Sequence, residues 1–134
     1  MSTFKMVPVN NPSSPAVSIS LAVPSDWKAD TSDNSSTMFT VPGVSGVITM
    51  TVVELTGSPE DQMTKAIKNN GLADGERTEL SGGRLWIEGP KGGNRHGRVF
   101  AAYPGGVVMA AAIIPDASKM PAIRKVFETL TVAR

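Results

Sequence analysis

The stretch Val107-Val-Met-Ala-Ala-Ala-Ile-Ile114 decides the fold, because every position in it is apolar. Successive side chains of a strand point to opposite faces, so a run without alternation must be covered on both sides. It is far shorter than the roughly 18 residues that span a bilayer, and it reads as a buried strand. Its three consecutive alanines leave shallow relief against which a helix packs closely. The following segment supplies that helix. Met120, Ile123, Phe127 and Leu130 recur at helical spacing, Asp116 or Ser118 caps the start, and Pro121 falls in the first turn, where proline is tolerated. Burying each of these large side chains is worth about 1.5 to 3 kcal/mol, so packing holds the helix more than propensity does.

Working back from Val107, Pro104-Gly-Gly106 joins it to a strand over Val99 to Tyr103 in an antiparallel meander. Lys91-Gly-Gly-Asn94 turns the chain after a strand over Arg84 to Gly89, in which Leu85 and Ile87 alternate with Trp86 and Glu88. Ser81-Gly-Gly83 separates this strand from another over Arg77 to Leu80. Ser58-Pro-Glu-Asp61 starts a helix: Ser58 caps, Pro59 sits where its missing N–H costs nothing, and Glu60 and Asp61 complement the dipole. Met63, Ala66 and Ile67 share one face of it, and Asn70-Gly71 supplies a left-handed terminator. Val47 to Leu55 and Met38 to Val41 read as strands. Val17, Ile19, Leu21 and Val23 alternate with Ser18, Ser20 and Ala22 as a half-buried strand that Pro24 ends. The polar stretch Lys28 to Ser36 reads as an exposed connection. Strands, helix, strands, helix is the order of an α+β domain, an antiparallel sheet flanked by helices.

The 134 residues and 40% hydrophobic content suit a single domain over 1–134 with a core large enough to need no staples. Thirteen Lys plus Arg against twelve Asp plus Glu leave a formal +1, which argues against nucleic acid as a partner. Cysteine is absent, which removes thiol nucleophiles, disulfides and thiolate metal sites together. Met1-Ser-Thr-Phe-Lys5 lacks the charged and apolar segments of an export signal, and Pro12-Ser-Ser-Pro15 reads as a linker remnant. The compartment is therefore cytoplasmic if the chain is complete, and periplasmic or cell-envelope if an upstream signal was removed.

No catalytic constellation is legible. A lone histidine, His96, cannot build a transition-metal site with several nitrogen or sulfur ligands, and no Asp-x-Asp-x-Asp loop offers a hard-cation site. Gly43-Val-Ser-Gly46 only partly imitates a nucleophile elbow and reads as a turn. Gly89-Pro-Lys-Gly-Gly-Asn-Arg-His-Gly97 lacks the Gly-Lys-Ser/Thr ending of a phosphate loop and leads into a strand, so it is a hairpin. No enzyme, metal or cofactor is expected. Lys91, Arg95, His96 and Arg98 gather basic or titratable groups that could meet an acidic partner or a lipid headgroup; the plainer reading is a solvated loop that keeps an edge soluble. Trp27 and Trp86 are candidates for partner contact if exposed and for core packing if not. The seven methionines fill a core or form an adaptable apolar surface.

Several pieces, taken in order, resemble the Mog/PsbP-like superfamily of small α/β/α sandwiches. They are Val17-Ser-Ile-Ser-Leu-Ala-Val-Pro-Ser-Asp-Trp27, a polar gap and Met38-Phe39, Ser58-Pro-Glu-Asp61, Gly83-Arg-Leu-Trp86, and a closing helix ending Phe127-Glu-Thr-Leu-Thr131. The resemblance implies a non-catalytic domain. Bacterial members include exported lipoproteins and cytosolic chaperones that bind the hydrophobic N-terminal segments of type VI secretion effectors, and no functional residue carries across. The expectation is a bacterial protein-binding domain with an unidentified protein partner, in the form of a chaperone-like adaptor for a secreted effector. A soluble envelope-lipoprotein domain and a small apolar-ligand carrier stay open, the latter requiring an enclosed cavity of about 300 Å³ or more. An exposed strand edge also leaves a homodimer open.

Overall fold

In the computed structural model, which describes residues 2–6, 18–33, 36–54, 58–69, 75–103 and 106–133, the apolar run is the middle strand of the larger sheet. In chain order the elements are β1 (Ser2–Met6), β2 (Ser18–Val23), β3 (Lys28–Asp33), β4 (Ser36–Thr40), β5 (Val47–Glu54), α1 (Pro59–Asn69), β6 (Glu76–Glu79), β7 (Leu85–Lys91), β8 (Asn94–Tyr103), β9 (Gly106–Ile114), α2 (Met120–Phe127) and β10 (Thr131–Ala133). A seven-stranded antiparallel sheet runs β3-β4-β5-β9-β8-β7-β6, and a three-stranded sheet runs β1-β2-β10.

Alternation along β9 divides the core in two. Val108, Ala110, Ala112 and Ile114 meet Met120, Ile123, Val126 and Phe127 of α2 and Ile19 and Leu21 of β2. Val107 and Met109, on the opposite face, pack with Ala66 and Ile67 of α1. Helices therefore cover both faces of the sheet, and the small sheet shares the α2 side.

Local chemistry sets the helix starts as the sequence leads one to expect, whereas the closing helix, expected to extend through Leu130, ends at Phe127. The Ser58 hydroxyl accepts the Asp61 N–H at 3.2 Å. Asp116 accepts the Ser118 N–H at 3.0 Å and its hydroxyl at 2.6 Å, starting a 3-10 turn over Ala117–Lys119 that runs into α2. At the other end of α2, the Arg84 guanidinium donates to the carbonyls of Glu128 and Leu130, and its Nε to the Ser81 carbonyl at 2.8 Å. One side chain thus satisfies open carbonyls beyond the helix and ties the Ser81–Gly83 turn to them.

The structure corrects three readings. Lys28 to Ser36 is not a mere connection: Lys28–Asp33 is strand β3, the outer neighbour of β4. Lys28, Ala29 and Asp30 are exposed, so no apolar alternation marks the strand, and backbone pairing with β4 carries it. β8 starts at Asn94 rather than Val99, because Arg95 to Arg98 pair with β7 on one side and β9 on the other despite their polar composition. Strands also flank the expected series, β1 at the start and β10 after α2; each is short enough to hide its period. The Pro12–Pro15 linker reading and the Asn70-Gly71 terminator lie outside the described residues.

Candidate functional site

The pleat of β8 separates the basic residues that the sequence groups together. Arg95 points to the α2 face. Its guanidinium meets Glu88 Oε2 at 2.7 Å, and Glu88 Oε1 accepts the Trp86 indole N–H at 3.1 Å. Trp86 is 1% exposed, with Arg124 5.5 Å above its ring and Phe127 at 6.2 Å between centroids. His96 and Arg98 point the other way. His96 is fully buried, and its Nε2 accepts from Arg98 Nε at 2.7 Å, which places the proton of a neutral ring on Nδ1. Arg98 also reaches the Met109 sulfur at 3.3 Å, and burial lowers its pKa from the ordinary guanidinium value. The solvated-loop reading of this cluster is corrected accordingly: the turn proper is Gly92-Gly93, and the residues after it belong to a strand inside the sheet. Trp27 is half-buried between Phe39 at 5.8 Å and Phe127 at 6.5 Å. The Lys91 side chain lies outside the description.

Two open grooves meet at the Ser81–Gly83 turn. On one side a groove of about 490 Å³ is lined by Arg84, Ala101, Glu128, Thr129 and Val132, among others. On the other, a groove of about 440 Å³ runs between α1 and β6, with Met63, Ile67, Leu85 and Ala102 as its apolar lining and Glu60 and Arg77 as charges. Gly82 and Ala102 line both. Both grooves open to solvent, and buried side chains fill both helix–sheet interfaces, so neither groove is the enclosed cavity that a small-ligand carrier requires. Among the described residues no three His, Asp or Glu side chains converge as metal ligands, and no helix is long and apolar enough to cross a membrane.

Sequence reading missed this end of the molecule. Glu60 and Met63 carry a helix signal, Arg77 and Leu85 a strand signal, and only the fold sets them around one space. The single hint was Ser81-Gly-Gly83, where Gly82 and Gly83 both take a φ of +75°, and nothing lies within 4 Å of where a side chain would begin.

The cyanobacterial PsbP protein CyanoP, from Synechocystis, superposes with a TM-score of 0.51 at 11% identity, over 86% of each chain. LpqN from Mycobacterium tuberculosis, a protein involved in cell envelope biogenesis, does so with a TM-score of 0.50 at 18% identity, over 100% of this chain and 93% of its own. The fold is PsbP-like. A Bacteroides thetaiotaomicron structure superposes with a TM-score of 0.56 at 16% identity; the match covers 87% of this chain and 45% of that one, so this chain spans less than half its length. At these identities the likeness is one of fold. No protein-family model and no curated protein matches the sequence.

Proposed function

We propose that this PsbP-like chain is a non-catalytic binding domain of the cell envelope that receives a partner protein at the end of the sheet marked by the Ser81–Gly83 turn. The observation that carries the reading is the convergence of two open grooves on Gly82 and Ala102. Elsewhere the polar groups singled out by the sequence serve the fold: Arg95 holds Glu88, and Arg98 holds His96. A buried histidine accepting from a guanidinium is poorly placed to act as a general base on a substrate, which favours binding over catalysis. The likeness to LpqN supports an envelope setting.

The test is site-specific photo-cross-linking in the source cells. A photoreactive residue at Ser81 or Thr64, both exposed, is expected to capture one defined protein, whereas the same residue at exposed Thr40 is not. Equal capture from all three positions, or none from the first two, would contradict the reading.

A further inference from the structure

Glu60, in the first turn of α1, and Arg77, on the outermost strand β6, line the 440 Å³ groove from opposite walls. Among the described residues neither enters an ion pair, with the other or with anything else. Met63 and Ile67 of α1 share the first wall with Glu60, and Leu85 and Ala102 of the sheet complete the apolar lining. The groove is therefore apolar over much of its lining, with an anionic group on the α1 wall and a cationic one on β6.

Its width follows from sheet geometry. α1 rests on β8 and β9, and β6 lies two strands beyond β8. At about 4.8 Å per strand the span is close to 10 Å, and an extended peptide rising about 3.3 Å per residue covers that distance from its first residue to its fourth.

We propose that the groove between α1 and β6 takes an extended stretch of peptide with the pattern basic–apolar–apolar–acidic, its basic end on Glu60 and its acidic end on Arg77. Alternation along the extended peptide sends one apolar side chain to Leu85 and Ala102 on the sheet and the next to Met63 on α1. The inference deepens the binding-domain reading and rests on it, by naming the chemistry of the segment the partner contributes. The two charges set which way the peptide lies, so that a basic side chain meets Glu60 and an acidic one meets Arg77.

Calorimetric titration with the blocked peptide Lys-Leu-Leu-Glu and its uncharged counterpart Gln-Leu-Leu-Gln tests this. The charged peptide is expected to bind about fivefold more tightly, the sum expected from two exposed ion pairs. The double variant Glu60→Gln, Arg77→Gln is expected to abolish that preference. Glu60→Gln and Arg77→Gln alone are each expected to reduce it. Amide shifts should centre on Gly82, Gly83 and Ala102. Equal affinities, no binding at millimolar peptide, or a preference that survives the double variant would overturn the proposal. Persistent partner cross-linking at Ser81 alongside any of those results would overturn the peptide chemistry alone and leave the binding domain standing.

Discussion

The two faces of the seven-stranded sheet are covered to different degrees. On the α2 side, a helix and a second sheet bury Trp86, Phe39, Phe127, Ile19 and Leu21 in one continuous cluster, and Arg84 locks the far end of the helix. On the α1 side, among the described residues, one helix rests on β8 and β9, leaving the groove beside β6 at one flank and exposed Met38 and Val47 at the other. A closed face contributes stability and an incompletely covered one leaves room for a partner, so function is sought on the α1 side and at the end where both grooves meet.

Neighbours on one strand break or sharpen this contrast most strongly. Trp86 points into the closed face and Leu85 into the open one. Trp86→Ala is expected to cost about 3–5 kcal/mol in denaturant unfolding, and Leu85→Ala, from a half-buried site, under about 2 kcal/mol. Similar losses at both positions would remove the distinction. Gly97→Ala comes next, because a Cβ there would stand 2.7 Å from the Trp86 ring and 2.9 Å from the Met120 sulfur. The expected cost is about 1–3 kcal/mol by the same measurement, since the closed face has no slack for a methyl group.

On the α1 side, Ser58→Ala removes the cap of α1, at an expected cost of about 1 kcal/mol in the unfolding midpoint converted to free energy. The smallest effect is a pH dependence. The Ser118 hydroxyl and N–H hold the Asp116 carboxyl below its ordinary value of 3.8. A carboxylate with a lowered folded pKa adds stability that is complete above its unfolded value and is lost as pH falls through the folded one. The melting-temperature difference between the native chain and Asp116→Ala should therefore be constant at neutral pH and shrink only below the ordinary carboxylate range.

What the sequence revealed depended on whether a residue's neighbours in the chain were also its neighbours in space. The all-apolar β9, the Ser58 and Asp116 caps and the spacing of Met120, Ile123 and Phe127 are local patterns, and they stand as read. β3 escaped because an edge strand with exposed Lys28 and Asp30 has no buried face to print a period. The Arg95 to Arg98 segment misled for a related reason. Polar composition suggested solvent, whereas strands on both sides fix the backbone and alternation sends Arg95 to Glu88 and Arg98 to His96. The candidate site was the least legible part, since Glu60, Arg77, Leu85 and Ala102 come together only through the order of strands across the sheet.

The central claim is that β9 is an inner strand, paired along both edges and covered on both faces. Native-state amide hydrogen exchange followed by NMR tests it directly. The account predicts that Val108 through Ala112 exchange only through global unfolding, more slowly than any amide of the edge strands β3 and β6. Exchange in β9 as fast as in those edges would contradict it.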